Sequence, residues 1–111
     1  MGLKRGQIGE LNRRITLRKR QDVPVGAFGM SASYSGEVPL WAKVEIMASG
    51  KPQDGQQLDD VATHRFWVRY RTDVTVDHEI VYQGKTHRVM RVTDWEDRRR
   101  FTIVEAKELH G

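Results

Sequence analysis

Ten consecutive residues, Ala62 to Arg71, alternate without a break, with His64, Phe66, Val68 and Tyr70 on one parity and Arg65, Trp67, Arg69 and Arg71 on the other. Successive side chains of an extended strand point to opposite faces, so the run predicts a strand with one buried face and one face lined by arginine. Shorter stretches repeat the pattern. Arg14-Ile15-Thr16-Leu17-Arg18 turns Ile15 and Leu17 inward, and Val38 to Ala48 sets Leu40, Ala42, Val44 and Ile46 against Trp41, Lys43, Glu45 and Met47. Glu79 to Tyr82 and His87 to Thr93 flank Gln83-Gly84-Lys85-Thr86, whose glycine can take the positive φ of a tight hairpin turn. After a charged turn at Asp94 to Arg99, Phe101, Ile103 and Glu105 alternate with Thr102, Val104 and Ala106. Six short strands and no amphipathic helix of three turns predict an all-β fold: a small six-stranded antiparallel β-barrel or sandwich with long loops and at most one short helix.

Two segments interrupt the alternation. Gln21 to Gly36 contains Asp22, Pro24, Gly26, Gly29, Gly36 and a Ser/Ala-rich stretch, and reads as a long loop or a loose hairpin. Ser49 to Asp60 holds Gly50, Pro52 and Gly55 beside three aspartates and reads as a second exposed loop, with room for one helical turn at Gln56 to Val61. In a β fold the sheet supplies stability and long loops carry contacts, so these two loops are the expected working parts. The 111 residues suit one domain, 1–111, whose ends at 1–7 and 107–111 are expected to be flexible until assembled.

Composition removes whole classes of function. With no cysteine, a disulfide framework, a thiolate metal site and a cysteine nucleophile are excluded. No apolar run reaches the eighteen or so residues of a membrane span and the first residues lack a signal-peptide core, so a cytoplasmic protein without a membrane partner is expected. The net charge of +4 is uneven: residues 1–20 carry seven bases and one acid, leaving −2 over the other 91. Such a basic first strand suits phosphate, an acidic protein face or water.

No catalytic constellation emerges. His64, His78, His87 and His110 lack a paired-ligand spacing, so no metal is expected, and His64 is placed at the end or rim of an inward face. Gly29-Met30-Ser31-Ala32-Ser33 lacks the second glycine of a nucleophile elbow. Adjacent acids such as Asp59-Asp60 and Glu96-Asp97 would diverge on a strand, which leaves solvated turns. Gly26-Ala27-Phe28-Gly29 has no helix pair to make it a nucleotide clamp, and no Walker lysine motif occurs. Neither an enzyme nor a cofactor is expected. Arg13, Arg14, Arg18 and Arg20 are the candidate contacts to phosphate or an acidic partner; Arg98-Arg99-Arg100 follows Asp94, Glu96 and Asp97 and reads as a charge-matched turn. Trp67 falls on the arginine face, so it is either covered by a loop or an interface anchor.

Taken in order, the strings Ile8-Gly9-Glu10-Leu11-Asn12-Arg13-Arg14-Ile15-Thr16-Leu17, Trp41-Ala42-Lys43-Val44-Glu45, Thr63 to Arg71, Val81-Tyr82-Gln83-Gly84-Lys85, and Asp94 with Arg98-Arg99-Arg100 cover nearly the whole chain. So arranged, the sequence resembles the small head–tail joining proteins of long-tailed phages and prophages, also called head closure or stopper proteins. It departs from them in a 21–36 segment rich in serine and alanine rather than glycine, and in Ala106, where relatives often carry cysteine.

The resemblance implies a β-barrel that joins a homo-oligomeric ring beneath the portal and its adaptor protein, closing the DNA-filled head; the isolated chain is expected to be a monomer, because closing a ring through a heterologous interface calls for the portal-side template. The resemblance also implies docking of a tail terminator or tail completion protein, passage of packaged double-stranded DNA through the channel, and a location in the host cytoplasm and then the virion. By that similarity the loop holding Lys51, Asp54, Gln56, Asp59 and Asp60 would face the channel and help retain DNA. Val25, Phe28, Met30 and Tyr34 mark the candidate partner-contact loop. A small β-barrel nucleic-acid-binding module, using the basic arm and the Trp67 face, is the alternative expectation.

Overall fold

The computed structural model describes residues 11–27, 29–47 and 61–109. Six antiparallel strands, β1 (Arg13–Val25), β2 (Gly29–Ile46), β3 (His64–Arg69), β4 (His78–Tyr82), β5 (Lys85–Asp94) and β6 (Phe101–Glu108), close on one another in the order β1-β2-β3-β6-β5-β4. The ring of strands is sealed by β1 against β4, from Thr16 opposite Val81 to Lys19 opposite His78. The fold class is therefore the expected one, in its barrel form rather than as a sandwich.

Inward parity supplies the core. Ile15, Leu17, Ala42, Phe66, Val68, Ile80, Val89, Val104 and Ala106 are all buried and form one cluster, with Leu40, Val44, Tyr82 and Val92 packed on it. The strand Ala62–Arg71 shrinks to His64–Arg69, and Tyr70, placed inward by the alternation, is instead 37% exposed because the ladder ends one residue earlier. Ile46 is also corrected: it lies at the last rung of β2 and is 81% exposed.

A second layer forms outside the barrel. Trp67, Trp95 and Phe101 are buried together, with Leu11 and Ile103 packed on them. Trp95 belongs to a single 3₁₀ turn, Trp95–Asp97, in which Glu96 and Asp97 hold positive φ. The turn is braced by the Asp94 carboxylate, which accepts the Arg99 N–H at 3.1 Å. Arg98 reaches Glu96 at 3.7 Å, so the Arg98-Arg99-Arg100 turn is charge-matched as expected for its first arginine.

The segment 21–36 is not a loop. β1 and β2 continue as a paired ribbon from Lys19 opposite Ser35 to Val25 opposite Gly29, the hairpin reading of that segment. Seven residues per arm at about 3.3 Å each carry it roughly 20 Å beyond the barrel. The shape agrees: the chain measures 57 × 35 × 25 Å with a radius of gyration of 15.3 Å, against about 13 Å for a compact chain of this length. Where the ribbon leaves the barrel, the register shifts between Leu17 and Lys19, so that Arg18 faces both Gly36 and Glu37. Gly36 sits there at φ +60°, the left-handed region that a bulge of this kind assigns to glycine.

An added Cβ at Gly36 meets nothing within 4 Å, which leaves backbone strain as the cost of substitution. Gly36→Ala is expected to lower stability by about 1 kcal/mol, read as a shift in urea midpoint at unchanged slope.

Candidate functional site

The ribbon is the most exposed regular element. Every described residue from Lys19 to Glu37 is solvent-exposed, on both faces. Cross-strand pairing sets Val23 and Val25 on one face and Pro24, Met30, Ala32 and Tyr34 on the other. Val25 is 53% and Met30 66% exposed. An isolated two-stranded ribbon is marginal in water, so this one depends on its attachment to the barrel. Of the expected partner-contact residues, Val25, Met30 and Tyr34 thus share one element; Phe28 lies outside the described residues.

The base of the ribbon is held by charge. Glu79 on β4 is 3% exposed, and its two oxygens accept from Arg18 Nη2 at 3.2 Å and Arg20 Nη1 at 3.4 Å. The Arg18 guanidinium also lies over the Tyr34 ring, 3.7 Å from its centre. Arg20 Nε donates to Asp22 at 3.3 Å, and the Asp22 and Glu79 carboxylates hold the Arg20 pKa above its ordinary value. Two of the four candidate phosphate contacts are therefore committed within the chain. Arg14 lies over the exposed Trp41 ring at 4.8 Å, and Arg13 is exposed. Glu79 was not singled out by sequence reasoning; a carboxylate one residue from inward Ile80 reads as solvated until β4 is known to lie beside β1.

Trp67 is covered. It is 8% exposed against Trp95 and Phe101, and its indole N–H donates to Glu45 Oε1. That burial removes it as an interface anchor, because neither its ring nor its polar atom faces solvent. The exposed tryptophan is Trp41, 55% accessible, which with Leu11, Pro39, Arg69, Tyr70 and Arg71 lines an open groove of about 740 Å³. One groove wall is fixed by Thr102, a buried hydroxyl that donates to the Arg71 carbonyl at 3.0 Å and accepts the Arg71 N–H at 2.9 Å. Arg71 in turn binds Asp73 through two bonds of 3.0 and 2.8 Å, which holds that carboxyl below its usual range. Lys51, Asp54, Gln56, Asp59 and Asp60 lie outside the described residues, as do His110 and all but Val61 of the expected helical turn.

The phage head completion protein family matches residues 6–109. The chain belongs to that family. Phage head completion proteins are structural components of head assembly, so the role of this chain is structural, in the virion and among other head and tail proteins. The solution structure of protein SF1141 from Shigella flexneri 2a is similar in fold, with a TM-score of 0.66 and 22% identity over 91% of this chain and 95% of that one. No curated protein matched the chain. No helix among the described residues is long and apolar enough to cross a membrane.

The two tryptophans separate by experiment. Trp67→Ala should destabilise the head completion protein by about 3–5 kcal/mol, and Trp41→Ala by less than about 1 kcal/mol, in parallel denaturant titrations.

Proposed function

We propose that this head completion protein takes its place as one subunit of a ring under the portal and its adaptor, closes the packaged head, and docks the tail terminator or completion protein. The observation that carries the reading is the exposed ribbon on a rigid closed barrel, in a chain of the head completion family. A ring built from one repeated heterologous contact needs two complementary surfaces on each subunit, and a projecting ribbon can supply one of them to the next subunit or to a partner layer. Its apolar tip residues would be covered only on assembly, which is consistent with a monomer before the portal-side template is met.

DNA contact in this reading is passage, not capture. The segment 49–60 carries one base, Lys51, against three acids, Asp54, Asp59 and Asp60, and a net negative segment beside DNA would repel the phosphate backbone and favour sliding. The alternative of a nucleic-acid-binding module has the weaker support: Trp67 is buried, and of the four candidate arginines Arg18 and Arg20 are paired with Glu79 while Arg13 and Arg14 stay exposed.

Deleting the gene should give heads that package and then leak DNA, beside free tails, in electron micrographs scored with DNA content; intact tailed particles would sink the proposal. Val25→Asp and Met30→Asp should each cut joined particles at least about tenfold while leaving the melting temperature within a few degrees, because both sites are exposed. Normal joining by the two variants together would remove the ribbon from the docking surface.

A further inference from the structure

At the end of the barrel where β2 finishes and β3 begins, three inward-facing side chains from three adjacent strands meet. His87 on β5 is the register partner of Glu108 on β6, and His64 on β3 is that of Ala106, two residues away on the same inward parity. One ligand atom from each of His64, His87 and Glu108 lies within 4.8 Å of the others.

The His87 ring is 1% exposed. Its Nδ1 stands 3.2 Å from the Ile80 carbonyl, and a carbonyl only accepts, so Nδ1 carries the proton and Nε2 carries the lone pair. That Nε2 is buried and has no hydrogen-bond partner. Its nearest charged neighbour, Glu108 Oε1 at 3.8 Å, is itself an acceptor. A buried ring nitrogen that carries a lone pair and has no donor, with a carboxylate and a second imidazole close by, suits a cation.

The second imidazole is also held through Nδ1. Thr63 Oγ1 accepts the Glu108 N–H at 2.8 Å and lies 2.9 Å from His64 Nδ1, a hydrogen bond in which either atom can be the donor. In both rings Nδ1 is tied to an oxygen of the protein and Nε2 is left for a ligand, the kind of outer contact that orients metal-bound histidines. The two rings stand 4.5 Å apart, edge to face.

We propose that His64, His87 and Glu108 form a binding site for one zinc-class divalent cation, with its fourth position open to water. Two imidazoles and a carboxylate are a donor set for zinc rather than for magnesium or calcium, which prefer oxygen. Donors about 2.1 Å from a tetrahedral ion stand roughly 3.4 Å from each other, so closure needs rotamer movements of about an ångström. Glu108 also lies 3.8 Å from Lys85 Nζ, a contact that the ion would weaken. The cation would tie β3, β5 and β6 together at the end of the barrel opposite the ribbon.

The test uses the full, untagged chain, stripped with chelator and titrated with Zn²⁺ by calorimetry, with Co²⁺ as a spectroscopic probe. Expected are one zinc per chain, a rise in melting temperature of roughly 5 °C or more at a hundredfold excess over the dissociation constant, and visible Co²⁺ bands of a four-coordinate N/O site. Mg²⁺ should give no shift. His64→Ala and Glu108→Gln, both at only partly buried positions, should weaken zinc binding at least tenfold with the barrel intact by circular dichroism, and His78→Ala should leave it unchanged. Absence of a zinc-dependent shift in the wild type, or binding that survives both site variants, would overturn the assignment.

Discussion

Everything in the molecule depends on β1 being paired along both of its edges. Between Thr16 and Lys19 it is laddered to β2 on one side and β4 on the other, and this short double pairing converts a six-stranded sheet into a closed surface. Closure leaves the barrel no open edge at which another strand could add, which removes the usual route by which a sheet aggregates. It also creates an inside for Phe66, Val68, Ile80 and Val104 to fill.

Closure explains where the charges went. β4 follows β1 by some sixty residues in sequence, yet the seam places Glu79 directly opposite Arg18. A basic first strand that looks like a phosphate-binding arm is, over part of its length, the counter-charge of a buried carboxylate. Arginine suits this place because one planar group can accept Tyr34 on its face while donating to Glu79 at its edge.

Legibility in the sequence followed burial asymmetry. β3, the β4–β5 hairpin and β6 alternate because one face of each is inside, and there the alternation located the strands to within a few residues. The ribbon from Lys19 to Ser35 is as regular a ladder, but with neither face buried it has no reason to alternate, and its glycines and serines leave a long loop and a loose hairpin equally open. Trp67 is half legible. Its parity sets it outside the barrel and leaves it either covered or an anchor, and only the fold shows that Trp95 and Phe101 come over to cover it. His64, His87 and Glu108 could be assigned inward by parity; that their three strands are neighbours is a property of strand order, which spacing along the chain does not encode.

The ribbon shares hydrogen bonds with the barrel but no apolar core. Barrel and ribbon can therefore diverge independently: substitutions along Val23 to Ser33 leave the interior packing of the barrel untouched, and repacking of the interior leaves the ribbon surface as it was. Surface chemistry and interior packing are thus held in separate parts of one chain, joined at the Gly36 bulge and by the Glu79 ion pairs.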